Sequence, residues 1–134
     1  MIDVENEIYD RVAKRLRKNF NGIGVAGEFV LSPSQFPFAS IVEADNTPLQ
    51  RTQTSDSVEN HATLMYEVNT YSNKAKGKKA ECKAIMGVVD EEMAAMGFTR
   101  IMQNPAPNAL DPTIYRMVSR YRAVVSKDKK VYRR

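Results

Sequence analysis

The chain reads as an α+β domain: a mainly antiparallel β-sheet with two helices packed on one face, in the order α-β-β-β-α-β-β. Three observations predict this. Two segments repeat apolar residues at three- and four-residue spacing, the period of an amphipathic helix. Five shorter segments read as strands, two of them alternating residue by residue and the rest lying between proline, glycine and polar breaks. No β-α-β unit repeats as a doubly wound sheet requires, so helices collected on one side of the sheet are the natural packing solution.

The first helix is expected from about Asp3 to Asn19. Ile8, Val12 and Leu16 fall on one face, with Tyr9, Ala13 and Phe20 beside them. Asp3 suits the N-cap. Glu5 and Glu7 open the segment and Lys14, Arg15, Arg17 and Lys18 close it, in the order that the helix dipole favours. Asn21-Gly22 is a good stop. Two short strands follow near Ile23–Leu31 and Phe38–Glu43, separated by Ser32-Pro33-Ser34 and Pro37. Residues 44–57 are polar and aperiodic and read as a long loop, either functional or disordered.

His61–Tyr71 is the third strand. Ala62, Leu64, Tyr66, Val68 and Thr70 form its core face; His61, Thr63, Met65, Glu67, Asn69 and Tyr71 form a mixed face. The second helix is expected from about Asn73 to Met96, with Cys82, Ile85, Val89, Met93 and Met96 in a stripe and Met86 alongside. Gly97 can adopt a left-handed C′ conformation and Phe98 can fold back on the last turn. Here the charges oppose the dipole: Lys74, Lys76, Lys78 and Lys79 crowd the start, and Asp90, Glu91 and Glu92 lie near the end. This is either a solvated face or a cluster that meets an acidic partner. Phe98–Gln103 is a strand, residues 104–108 a turn region, and Thr113–Val125 the last long strand. A short strand near Val131-Tyr132 follows a turn at Lys127-Asp128, within a basic tail spanning 126–134.

Thr113–Val125 is the most informative stretch. Tyr115, Met117, Ser119, Tyr121, Ala123 and Val125 form a core face. Ile114, Arg116, Val118, Arg120, Arg122 and Val124 form a face too apolar for plain solvent and too charged for a sealed interior. Such a face suits a partner. The tyrosines at 115 and 121 lie opposite the arginines, which argues against a base-stacking platform.

Size and composition fit one domain spanning 1–134. Of the 134 residues, 43% are apolar and 27% charged, which suits a globular chain rather than a disordered one. The net charge of +4 is too small to argue for nucleic acid. Cys82 is the only cysteine, so no internal disulfide forms and a reduced cytosolic setting fits. The acidic start does not read as a signal peptide. No stretch approaches the roughly 18 apolar residues of a membrane helix, so no membrane partner is expected. Chemistry is poorly represented. His61, the only histidine, has no ligand-spaced cluster around it; Cys82 lies on an apolar stripe; Asp90, Glu91 and Glu92 fan around a helix; and Gly22, Gly24 and Gly27 precede strand-like residues, not a helix. No enzyme, metal or cofactor is expected.

Residues 67–73 (GluValAsnThrTyrSerAsn), the Lys/Gly-rich start of the second helix, its MetGlyPhe end at 96–98, AsnAlaLeuAspProThrIleTyrArg at 108–116 and ArgTyrArgAlaValVal at 120–125 together resemble the tail-terminator proteins of long-tailed bacteriophages, also called tail-completion or minor capsid proteins. The resemblance covers most of the chain. It implies a virion protein, assembled in the host cytoplasm, that closes into a hexameric ring at the neck end of the tail tube. Such a ring stops tube polymerisation, meets the head-tail connector and passes DNA through its lumen without reading sequence. It carries over no residue-level motif. From the residues themselves, the expected contacts are Arg116, Val118, Arg120 and Arg122, paired with acids such as Glu67 or Asp90–Glu92 of a neighbouring subunit. Gln50 and Arg51 in the loop and Lys78 and Lys79 at the second helix are further candidates. The alternatives are another neck component, such as a connector or stopper, or a nucleic-acid-binding regulator.

Overall fold

The computed structural model of the protein describes residues 1–49, 61–107, 111–128 and the backbone of 131–132. The expected α+β order is found: α1 (Glu5–Asn19), β1 (Gly24–Ala26), β2 (Phe38–Pro48), β3 (His61–Ser72), α2 (Lys78–Ala95), β4 (Thr99–Ala106) and β5 (Tyr115–Ser126), followed by β6 (Val131–Tyr132). The strands form one mixed sheet in the order β1-β2-β3-β5-β4, with β6 pairing the end of β5. Only β1 runs parallel to its neighbour. The two longest antiparallel ladders, β2 with β3 and β3 with β5, form the centre of the sheet.

Both helices cover one face. Ile8, Val12 and Leu16 of α1 and Cys82, Ile85, Met86, Val89 and Met93 of α2 join Ala62, Leu64, Tyr66 and Val68 of β3 and Met117, Tyr121, Ala123 and Val125 of β5 in a single core. The helical stripes and both strand faces are those that the sequence periods predict. The helices are clamped to each other by ions: Glu92 accepts from Arg11 Nε and Arg15 Nη1, and Glu91 from Arg15 Nη2, each at 2.9 Å.

Helix boundaries differ from the expected ones for local reasons. The N-cap position of α1 is Val4, and Asp3 acts one residue earlier, its Oδ1 accepting the Glu5 N–H at 3.0 Å. Gly77 sits at φ 84°, a left-handed conformation that interrupts the helix expected from Asn73, so α2 begins only at Lys78. At the other end Gly97 has φ 92°, and the Phe98 N–H donates to Met93 O at 2.9 Å, closing the last turn as anticipated.

The strands depart more. Only Gly24–Ala26 of the expected Ile23–Leu31 strand pairs. Conversely, residues 44–48, expected as loop, extend β2 along β3 after a register shift between Glu43 and Asp45. The extra residue, Ala44, breaks the two-residue period that would have revealed the strand. Residues 104–106, expected as a turn, lengthen β4, where another shift between Arg100 and Met102 leaves Ile101 exposed. Pro105 is tolerated because β4 is an edge strand, and the bulge and proline together discourage pairing along that edge.

Candidate assembly face

Register places the outer side chains in rows. Running from β2 through β3 and β5 to β4, the rows are Phe38–Tyr71–Arg116–Ala106, Ser40–Asn69–Val118–Asn104, Val42–Glu67–Arg120–Met102 and Asp45–Met65–Arg122–Thr99. The helix-free side is not open along its whole length. One end is covered: Phe38, Tyr71 and Ile114 form a second small core with Ala26, Val30 and Phe36, and Tyr71 Oη donates to Val30 O at 2.6 Å. The cover comes from residues that the sequence suggested were partly strand. The Arg116 guanidinium lies 5.1 Å from the Phe29 ring centroid, a cation–π contact at the margin of this cover.

Beyond it, four polar groups tie β3 to β5. Arg116 Nε donates to Asn69 Oδ1 at 2.8 Å, Asn69 Nδ2 to Glu67 Oε2 at 3.2 Å, and Arg120 Nε and Nη2 to Glu67 Oε1 at 3.1 and 3.0 Å. Val118, between the two arginines and opposite Asn69, is only 8% exposed. The ladder holds the arginines in fixed geometry over an apolar floor. Arg122, opposite Met65, is exposed and has no partner among the described residues.

The sequence-predicted residues therefore separate. Arg116, Val118, Arg120, Arg122 and Glu67 share one surface. Lys78 and Lys79 lie on the other side, at the start of α2; Lys78 Nζ donates to Thr113 O at 3.2 Å. Gln50 and Arg51 lie outside the described residues, as does most of the expected 44–57 loop. The arginine–carboxylate pairing expected between subunits is made within the chain, because the antiparallel register sets Arg120 directly across from Glu67. Asp90 likewise meets Arg100 at 3.6 Å, and Glu91 and Glu92 are engaged by Arg15 and Arg11. A feature that sequence reading missed is an open pocket of about 430 Å³ beside Arg116, lined by Pro105, Ala106, Pro107, Pro112, Ile114 and Tyr115. Its signal was the proline cluster, read as a turn.

The described residues hold no group of three or more His, Cys, Asp or Glu side chains placed to bind a metal, and no described helix is long and apolar enough to cross a membrane. Burial pushes the Cys82 thiol up to about 11, so at neutral pH it is protonated and a poor nucleophile. It points to Tyr115 O at 3.6 Å.

Two carboxylates respond oppositely to acid. Burial alone would raise Glu92, but hydrogen bonds from Arg15 and Arg11 outweigh it and hold Glu92 below its ordinary 4.5. Its ionic contribution to stability is present above pH 4.5 and is lost as pH falls through the lower folded value. Glu43 is raised, first by burial and further by Glu5 and Asp3, against the lowering effect of the Tyr66 hydroxyl. It therefore favours folding below its ordinary 4.5, and that contribution fades as pH rises through the folded value. Denaturation midpoints measured between about pH 3 and 7 should show a flatter acid limb for Glu92→Gln than for the parent. A parallel acid limb would contradict the clamp.

No protein-family model matches the chain, and no curated protein matches it.

Proposed function

We propose that the chain is a structural component of a long-tailed phage virion. Copies close into a ring, by the resemblance a hexamer, that caps the neck end of the tail tube and joins it to the head connector, leaving a lumen for DNA. The observation that carries the reading is the sheet face itself. It combines the partly buried apolar side chains Val42, Met65, Met102 and Val124 with tethered Arg116 and Arg120 and with Arg122, which has no partner among the described residues, and no described segment of the chain covers it beyond the Phe38–Tyr71 end. Arginines held among apolar groups suit a partner surface: the planar guanidinium makes directional contacts and sheds water more readily than an ammonium.

In this reading the face meets the end of the tube. The work is mechanical, a matched surface that offers the next tube ring no further site. Mass measurement at rising concentration, with and without preformed tubes, tests the assembly step. A single closed stoichiometry is expected; a chain that is monomeric both alone and in the presence of tubes rules the reading out. If the chain instead binds DNA fragments with a steep loss of affinity as salt rises, it is a nucleic-acid-binding regulator.

A further inference from the structure

Arg116 differs from the other two arginines of the sheet face. Arg120 meets Glu67, and Arg122 is exposed. Arg116 is half-buried, and no carboxylate pairs with it among the described residues. Its guanidinium is nevertheless held in place: Nε donates to Asn69 Oδ1 at 2.8 Å, and the Phe29 ring centroid lies 5.1 Å from its carbon. The two Nη groups have no hydrogen-bond partner among the described residues. Nearby acids are engaged elsewhere. Glu67, on the same face, accepts from Arg120 and Asn69. Asp111, next to Pro112 in the chain, accepts the N–H and the hydroxyl of Thr113 on its Oδ1. A charge partly removed from water without a counter-charge costs stability, and one already fixed in position loses little freedom on binding. Both properties suit an anion supplied from outside the chain.

The same arginine lines the open pocket of about 430 Å³, a volume within the roughly 300–1,000 Å³ of ligand sites. The rest of the described lining is poor in polar groups. Pro105, Pro107 and Pro112 have no N–H, and apart from Arg116 only Tyr115 has a polar side-chain atom. A nucleobase would find little here to meet its hydrogen-bonding edges, and a chain terminus would find walls short of N–H donors. An aliphatic side chain needs neither. Ile114 belongs both to this lining and to the small core beneath Val30 and Phe36, and Phe29, 47% exposed, stands against Arg116. The pocket and the Phe29 ring therefore form one apolar surface with a single fixed cation in it.

We infer that this corner receives an acidic and an aliphatic side chain from one extended segment of the protein that docks on the sheet face. The carboxylate takes the Arg116 Nη groups, and the aliphatic side chain fills the pocket. A carboxylate matches the planar guanidinium edge, and in an extended segment residues two apart share a side. The inference rests on the reading that the face docks a partner protein, and it names the chemistry of that contact. The probe is the peptide acetyl-Leu-Ala-Glu-Ala-Leu-amide, which offers the pair in both chain directions. Its neutral control carries Gln in place of Glu.

Methyl NMR of Ala106 and Ile114 should show saturable binding of the acidic peptide to the parent and at least tenfold weaker binding of the neutral one. Arg116→Gln should abolish that difference. Ala106→Leu, on an edge strand and half-buried, fills the pocket and leaves every charge in place. It should weaken both peptides at least tenfold and raise the concentration needed to cap tail tubes by a similar factor. Equal affinity of the parent for the two peptides, saturable binding of neither, or methyl shifts produced only by a single-stranded oligonucleotide overturns the inference. So does unaltered capping by Ala106→Leu, whatever its self-association. A parent that binds the acidic peptide as expected yet caps no tubes overturns the capping reading and leaves this site standing.

Discussion

Tyr66→Ala should lower the unfolding free energy by about 3–5 kcal/mol, the range for deleting a large buried aromatic side chain. Tyr66 is fully buried on β3, a central strand. Its ring meets Phe98 edge to face, with centroids 5.5 Å apart, so it joins the sheet to the chain leaving α2. Its hydroxyl donates to Glu43 Oε1 at 3.2 Å beside the bulge in β2. The hydroxyl's own ionisation is pushed far above the usual range, first by burial and then by Glu43, so it remains a donor at all ordinary pH. Small domains have about 5–15 kcal/mol in total, so the alanine variant should lose a large share of its stability. Tyr66→Phe separates the two roles: it keeps the ring and should cost about 1 kcal/mol, the usual worth of one hydrogen bond. Chemical denaturation of the three proteins measures both differences. A loss below about 1 kcal/mol for Tyr66→Ala would mean that the Tyr66 ring does not pack at the centre of the core.

Arg120→Glu should leave the fold nearly intact and abolish capping of tail tubes. Within the monomer the Arg120–Glu67 pair is largely a surface interaction, with the arginine side chain 46% exposed, and such pairs contribute about 0–1 kcal/mol. Under a docked partner the same charge is desolvated. Removing one member of a buried charged contact costs about 2–5 kcal/mol, or at least roughly thirtyfold in affinity. The substitution also places a second carboxylate directly across the ladder from that of Glu67. Glu67→Arg combined with Arg120→Glu restores the internal pair with its polarity exchanged. Recovery of capping in that double variant would mean that the pair positions the face; continued failure would mean that Arg120 itself touches the partner. Unchanged capping by the single variant would mean that this face takes no part in capping.

The helices and the two central strands were legible because their patterns are short-ranged. The stripe Ile8–Val12–Leu16 and the alternation Ala62–Leu64–Tyr66–Val68 each satisfy one core, and nothing in the tertiary structure overrides them. The edges were not legible. Ala44 and Ile101 are single extra residues, and each shifts the phase of everything after it, so half of β2 and the end of β4 look like loop. The cover over Tyr71 depends on Val30 and Phe36 reaching a distant strand, with Val30 and Tyr71 separated by 41 residues, which no local period encodes. The Arg120–Glu67 pair was half legible. The sequence places both on outer faces, but only the register makes them neighbours within one subunit. The reversed charges of α2 were visible as an anomaly; only the fold shows that Lys78 is engaged by Thr113 O while Lys79 stays exposed.

The most direct test of capping is electron microscopy of tail tube protein polymerised with and without this chain. With the chain present, tubes should stop growing and carry one ring of extra density at a single end of each. Tubes of unchanged length with bare ends, at chain concentrations well above that of tube ends, would contradict the proposed role.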